Sequence, residues 1–132
     1  MPDSRDPKAL GRRGEDLAAD YLEAKGYRIL ERNYRFLREE IDLVCFQPYE
    51  RYEEGGELVF VEVKTRRSNT FGRPEESVTE EKQQAIFRVA EAFLHEYRLE
   101  GSLVRFDVIA IQWADRQPKI DHLENAFGMF GV

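Results

Sequence analysis

The chain has 132 residues, of which 42% are hydrophobic and 35% charged, and its formal net charge is −6. This composition excludes a disordered or fibrous protein, and no apolar run approaches the ~20 residues that a membrane-spanning helix needs. The single cysteine, Cys45, excludes an internal disulfide, and the N-terminus lacks the apolar segment of a signal peptide. We therefore expect a cytoplasmic protein that forms one domain over residues 1–132, with a mobile segment over residues 1–10.

The first half of the chain predicts a helix followed by an antiparallel meander. Leu17, Ala18, Tyr21 and Leu22 recur at helical spacing and Gly26 ends the pattern, so a helix is predicted over 11–25. Strand-forming residues between turn signals then predict three strands, over 27–34, 40–46 and 58–64. Strict alternation in the second strand predicts one face with Ile41, Leu43 and Cys45 and an opposite face with Asp42, Val44 and Phe46.

The second half predicts a helix, a buried strand and a short edge strand. Thr79 can cap a helix from Glu80 to about Tyr97, whose buried stripe begins with Lys82. An apolar run over 103–112 predicts a strand inside the sheet. Its Asp107 is expected to be structural, either in a salt bridge with Arg105 or capping a turn. A short edge strand is expected over 119–124.

The order of these elements predicts an α/β fold with a mixed sheet of about four to five strands flanked by helices. The long second helix would form the right-handed crossover between the third and fourth strands. The last residues are too apolar for a free tail, so we expect them to pack on the core or to form a homodimer contact (Ala126, Phe127, Met129 and Phe130).

The third strand, Leu-Val-Phe-Val-Glu-Val-Lys over 58–64, contains two charged residues in an apolar run. Glu62 and Lys64 share one face of this strand, and the simplest interpretation is a structural ion pair. However, the hairpin can also place Asp42 opposite Glu62. Two facing carboxylates destabilise a sheet unless a cation lies between them, and carboxylate oxygens are natural Mg²⁺ ligands. The pair therefore indicates a Mg²⁺ or Mn²⁺ site, with Lys64 placed to stabilise a developing charge.

Other charged residues have two interpretations each. Glu15 lies on or beside the apolar stripe of the first helix, where it would be a third carboxylate, but a first-turn glutamate also favours the helix dipole. The cations form two clusters that either contact phosphate or are solvated. One cluster is Lys64, Arg66, Arg67 and Arg73, and the other is Lys25, Arg28, Arg32, Arg35 and Arg38.

The Asp42 and Glu62-Val63-Lys64 pattern across a hairpin resembles the PD-(D/E)XK nuclease superfamily. Further segments make the chain similar to the bacterial YraN (UPF0102) family over residues 11–127. These segments are Gly11-Arg12-Arg13-Gly14-Glu15, Gly26-Tyr27-Arg28-Ile29-Leu30-Glu31-Arg32-Asn33, Glu40-Ile41-Asp42-Leu43, Val59-Phe60-Val61-Glu62-Val63-Lys64, Phe71-Gly72, Lys82, Arg105-Phe106-Asp107 and Asn125-Ala126-Phe127.

This resemblance implies a restriction-endonuclease-like fold close to that of archaeal Holliday-junction resolvases. It implies Lys64 and Glu15 as catalytic residues, and Asp42, Glu62 and Val63 as the metal site for Mg²⁺ or Mn²⁺. The nucleic-acid contacts that we predict with it are Arg12, Arg66, Arg67, Arg73 and Lys82. The chain departs from the family at Glu39, where the family usually has glycine, and this adds a negative charge near the mouth of the site.

Three functions are open from the sequence. The first is a Mg²⁺-dependent DNA endonuclease, with branched DNA as one candidate substrate, and it rests on Asp42, Glu62 and Lys64. The second is a nucleic-acid-binding protein on the same fold with weak or no catalysis, which Glu39 would suit. The third is a protein-interaction module that uses the apolar C-terminus, which the net charge of −6 favours.

Overall fold

Two helices and five strands form the described part of the chain, residues 7–51, 54–66, 78–113 and 117–128, in a computed structural model. In chain order they are α1 (Pro7–Ala24), β1 (Arg28–Phe36), β2 (Glu39–Pro48), β3 (Gly56–Arg66), α2 (Glu80–Glu96), β4 (Val104–Gln112) and β5 (Lys119–Phe127). Neither of these two helices is long and apolar enough to cross a membrane.

The strands form one sheet in the order β1-β2-β3-β4-β5. β1, β2 and β3 are an antiparallel meander, β3 and β4 are parallel, and β4 and β5 are antiparallel. Parallel neighbours need a long connection, and α2 lies in it. The predicted α/β fold with a mixed sheet of four to five strands flanked by helices is therefore confirmed.

Each face of the sheet packs against one helix, and β3 contributes to both cores. Leu58 and Phe60 lie in the cluster that contains α2 residues such as Phe93. Val59 and Val61 lie in the cluster that contains Ala18 and Leu22 of α1 and face the opposite side. A strand covered on both faces has no reason to alternate with polar residues, which explains its apolar run.

Two local predictions differ from the structure. α1 begins at Pro7 rather than at residue 11, so residues 7–10 are helical, whereas residues 1–6 lie outside the described chain. Ile41 packs with Val44 in the α2-side cluster, although we predicted that it shares a face with Leu43 and Cys45. The change of face falls where β2 has lost β3, whose pairing ends at Leu43, and pairs only with β1, through Ile41 and Tyr34.

The carboxylate of Asp107 is fully buried on the α1 side of the sheet and has four hydrogen bonds. Arg105 donates two of them at 2.8 and 2.9 Å, the main-chain amide of Asn125 donates one at 3.0 Å, and His122 Nε2 lies 2.7 Å away. The salt bridge with Arg105 and the contact with the Asn125 amide confirm the structural interpretation of Asp107, and His122 is a partner that the sequence did not indicate.

The apolar end of the chain packs inward as far as it is described. Ala126 and Phe127 contact the α2-side core, and β5 extends to Phe127 rather than ending at residue 124. The Phe127 ring stacks on Phe106 with ring centroids 5.4 Å apart. Met129 and Phe130, which the sequence also placed in this contact, lie outside the described residues.

Candidate metal centre

The candidate site lies where β2 and β3 stop pairing. Their last pair at this end is Leu43 with Val61, and one further step in the same register places Asp42 opposite Glu62. At this step the main-chain amide of Val63 donates a 2.7 Å hydrogen bond to Asp42 Oδ2. The side chain of Asp42 is therefore fixed against the strand that carries Glu62.

Glu62 is one of the two buried charged residues among those described, with 5% of its surface exposed. Its Oε2 atom lies 3.5 Å from Lys82 Nζ, but its buried Oε1 atom has no hydrogen-bond partner. A buried carboxylate oxygen without a partner is costly. A bound cation beside Glu62 would supply the partner that this oxygen lacks.

Electrostatics within the pair disfavour two negative charges. The pKa of Asp42 is raised to about 7, chiefly by burial and then by the neighbouring Glu62 carboxylate, while the hydrogen bond from Val63 opposes the shift. Burial also raises the pKa of Glu62, although Lys82 and Lys64 act in the opposite direction. A divalent cation would relieve this repulsion, because each carboxylate is then paired with positive charge.

Two lysines accompany the carboxylates. Lys64 follows Glu62 on the same face of β3, and Lys82 lies in the first turn of α2, whose N-cap is Thr79. Burial lowers the pKa of Lys64, and the hydrogen bond with Lys82 lowers it further. For Lys82, burial is outweighed by the hydrogen bond with Lys64 and by the Glu62 carboxylate, so its pKa is raised.

Glu15, the predicted third carboxylate, extends from α1 toward the same region. Its Oε1 atom accepts a 2.9 Å hydrogen bond from Asn33 Nδ2, which also donates to Glu40 at 3.0 Å. Its charge contributes to the raised pKa of Asp42. Over residues 7–51, 54–66, 78–113 and 117–128, however, no three acidic, histidine or cysteine side chains are grouped closely enough to hold a metal ion.

Gly14, next to Glu15, sets how closely α1 approaches the site. A Cβ atom at this position would overlap the hydroxyl of Thr65 on β3. Glycine thus lets the helix lie directly against the end of β3. Glu15 is the next residue of α1, and its charge raises the pKa of Asp42.

The side chains present fit a hard divalent cation. Asp42 and Glu62 offer carboxylate oxygens, and one of these oxygens is buried without a partner. Mg²⁺ needs only one or two carboxylates and takes its remaining ligands from water and phosphate. Val63 has an apolar side chain, so the donor that it adds to such a set is its carbonyl oxygen.

The predicted phosphate-binding residues are only partly brought together. Arg12 is exposed on α1, and Arg66 is the last residue of β3, two positions after Lys64. Lys82, expected to contact nucleic acid, instead forms the ion pair with Glu62. Arg67 and Arg73 lie outside the described residues.

The second basic cluster is partly neutralised. Arg32 forms a 2.7 Å ion pair with Asp16, and Arg35 forms a 2.8 Å ion pair with Glu40. Both arginines extend from the edge strand β1, where charged side chains also prevent pairing with another chain. These contacts favour a solvated surface over a phosphate site for this cluster.

Comparison with known proteins identifies the family. Residues 14–111 match the uncharacterised protein family UPF0102. The chain belongs to the UPF0102 family. Its match covers the segments from Gly14 in α1 to Ile111 in β4 and so includes Glu15 and Val63 as well as the two carboxylates and two lysines of the candidate site: Asp42, Glu62, Lys64 and Lys82.

Several UPF0102 relatives are similar over most of their length. A UPF0102 protein of Geobacter metallireducens is 44% identical over 120 residues, covering 91% of this chain and 93% of the relative. A UPF0102 protein of Chlorobaculum parvum is 46% identical over 127 residues, covering 92% of this chain and 93% of the relative. A UPF0102 protein of Chlorobium limicola is 50% identical over 106 residues, covering 80% of this chain and 77% of the relative. The UPF0102 name describes no activity, so the function must be argued from the site.

Proposed function

We propose that this protein is a divalent-cation-dependent nuclease of the PD-(D/E)XK type that hydrolyses phosphodiester bonds in DNA. The observation that carries the proposal is the buried Oε1 atom of Glu62, which has no hydrogen-bond partner and belongs to a carboxylate beside Asp42. A purely structural ion pair would be more stable with both oxygens bonded. This arrangement, in contrast, is destabilising by itself and gains from a bound cation.

The chain's own residues have distinct roles in this reaction. Asp42 and Glu62 hold Mg²⁺ or Mn²⁺, which when bound supplies a Lewis acid for the phosphate. The Val63 amide keeps Asp42 in place. Lys64 is placed to orient the attacking water or to stabilise negative charge on the phosphate oxygens. Water adds to phosphorus and releases one proton to solvent, the bond to the leaving sugar oxygen breaks, and that oxygen takes up one proton from solvent.

The substrate that we propose is DNA, with branched DNA as the favoured form. A protein of 132 residues offers little surface for reading bases in a groove, so shape is the more accessible criterion. Arg12, Arg66 and Lys82 are the described cations that we assign to the phosphate backbone. Glu15 is assigned to the site beside Asp42, whose pKa its charge raises.

A second candidate is a nucleic-acid-binding protein on the same fold without catalysis. Glu39 favours it, because this exposed residue begins β2, three residues before Asp42, and adds negative charge that disfavours phosphate. The interaction-module hypothesis is less well supported, because Ala126 and Phe127 pack on the chain's own core. A homodimer through the C-terminal segment therefore remains a weaker proposal.

A nuclease panel tests the proposal. Purified wild type and Lys64→Ala are incubated with four-way junction, duplex and single-stranded DNA, in Mg²⁺, in Mn²⁺ and in EDTA. Lys25→Ala is the matched control, because this exposed lysine lies by Tyr21 and Glu124, away from the site. We expect metal-dependent cleavage by wild type and the control, and at least a 100-fold loss in Lys64→Ala. Tight DNA binding without cleavage would select the second candidate.

A further inference from the structure

The ion pair between Lys82 and Glu62 joins an element of the sheet to the start of a helix. The Nζ to Oε2 distance is 3.5 Å, and 42% of the Lys82 side chain is exposed, against 6% for Glu62. The amine thus reaches from the surface to a carboxylate that is almost fully enclosed. It contacts one oxygen of Glu62 and leaves the other, Oε1, without a partner.

The position of Lys82 within α2 is unfavourable by local rules. The first turn of a helix carries partial positive charge, and acidic residues are preferred there, as Glu80 and Glu81 illustrate. Lys82 nevertheless lies in this turn, on the side of α2 whose next residues, Ile86 and Val89, are buried. The helix does not account for a cation at this position, whereas the carboxylate of Glu62 does.

Charges in the cluster balance without any added ion. Asp42 and Glu62 contribute two carboxylates, Lys82 Nζ lies 3.5 Å from Glu62 Oε2, and Lys64 follows Glu62 on the same face of β3. A divalent cation between the carboxylates would add two positive charges within a few ångströms of these amines. The two amines oppose binding of the cation unless an anion arrives with it or an amine moves away.

We propose that Lys82 is a resident counter-ion of Glu62, which competes with the divalent cation and transfers to a DNA phosphate when the cation binds. This inference rests on the proposed function, since it assumes that Asp42 and Glu62 hold the cation. Metal and phosphate then bind cooperatively, because each supplies the charge that the other requires. By linkage, the phosphate strengthens metal binding by the same factor as the metal strengthens phosphate binding.

Metal affinity in the absence of DNA tests the inference without relying on cleavage. Mn²⁺ is titrated by calorimetry at pH 8 into wild type, Lys82→Met and Lys82→Arg. Lys25→Met serves as the control for the same change in net charge away from the site. Circular dichroism and thermal unfolding check that each variant is folded, and Lys82→Gln is a second variant that also removes the charge.

We expect Lys82→Met and Lys82→Gln to bind Mn²⁺ on the order of tenfold more tightly than wild type. The Mn²⁺ affinity of Lys82→Arg and of Lys25→Met should remain within about twofold of the wild-type value. The first variant keeps a positive side chain at position 82, and the second removes one that is distant from the site. A non-cleavable phosphorothioate junction should tighten Mn²⁺ binding to wild type and have a smaller effect on Lys82→Met.

Two results would overturn the inference. Equal or weaker Mn²⁺ binding by Lys82→Met and Lys82→Gln, with wild type binding normally, would show that Lys82 does not compete with the cation. The metal site itself would still stand. Absence of Mn²⁺ binding by folded wild type, with and without the junction, would remove the metal centre and this inference together.

Discussion

The carboxylate of Asp42 accepts a 2.7 Å hydrogen bond from the main-chain amide of Val63, the residue after Glu62. This bond links the two strands where their regular pairing ends at Leu43 and Val61. One of the two carboxylates is thereby fixed relative to the strand that carries the other. The position of the site therefore follows from the register of a hairpin. A substitution that keeps this hydrogen bond but removes the charge can distinguish the effect of Asp42 on stability from its effect on metal binding.

Asp42→Asn makes such a change. The amide oxygen can still accept the bond from Val63, whereas the repulsion with Glu62 disappears. We expect the free energy of unfolding at pH 8 to rise by about 1–3 kcal/mol, because a buried charge is no longer required. Urea denaturation measures the change, and Mn²⁺ binding should be lost in the same variant. A loss of stability in Asp42→Asn would contradict this account.

The metal-free protein should become less stable as the pH rises from 4 to 7. The pKa of Asp42 is about 7 in the folded chain against an ordinary 3.8, so the folded state binds the proton more tightly in this interval. Ionisation then opposes folding, and up to about 2–4 kcal/mol of stability is lost by pH 8. The raised pKa of Glu62 acts in the same direction.

Other titrating groups act mainly outside this interval. The lowered pKa of Lys64 acts in the opposite sense, at alkaline pH below its ordinary 10.5. Although burial raises the pKa of Asp107, hydrogen bonds from His122 and Arg105 lower it, so its contribution is lost in acid below 3.8. Urea denaturation in EDTA at pH 5 and pH 8 measures the slope, which Asp42→Asn should flatten. Equal stability of the wild type at pH 5 and pH 8 would refute the raised pKa of Asp42.

Two glycines of α1 provide a matched pair of substitutions. Gly14→Ala would bring a Cβ atom against the Thr65 hydroxyl, so we expect a loss of about 1–3 kcal/mol from overpacking. Gly11 has no neighbour within 4 Å of such an atom, and Gly11→Ala should stabilise by about 0.5–1 kcal/mol. Adding Thr65→Ala to Gly14→Ala should restore most of the lost stability. Stabilisation by Gly14→Ala alone would show that α1 does not lie this close to β3.

Substitution of Asp107 by asparagine should lower the stability of the protein, whereas the same substitution of Asp42 should raise it. Its carboxylate is matched by hydrogen bonds from Arg105, His122 and Asn125. Asp107→Asn leaves the guanidinium of Arg105, whose side chain is 11% exposed, without its closest charge partner, although Glu124 Oε1 still lies 3.9 Å away, and we expect a loss of up to about 3–5 kcal/mol. The measurement is urea denaturation at pH 8 beside Asp42→Asn. A change in the same direction in both variants would contradict the distinction between a structural and a functional aspartate.

The sequence predicts most of the fold because the signals are local. Hydrophobic periodicity locates α2, with Thr79 as its cap, and the hairpin spacing places Asp42 across from Glu62. The prediction for the face of Ile41 was wrong, because strict alternation in the sequence does not reveal where a strand loses one of its neighbouring strands. The Lys82–Glu62 and Asp107–His122 contacts were missed, because they depend on how distant elements pack, although the position of Lys82 at the head of a buried stripe was a usable signal.

The most direct test of the central claim is a crystal structure of the protein soaked in Mn²⁺, with anomalous diffraction data collected at the manganese edge. We predict one strong anomalous peak within about 2.5 Å of a carboxylate oxygen of both Asp42 and Glu62, and its disappearance in Asp42→Asn crystals soaked in the same way. A well-ordered Glu62 carboxylate with no anomalous peak beside it, at Mn²⁺ concentrations that saturate known nucleases, would contradict the account.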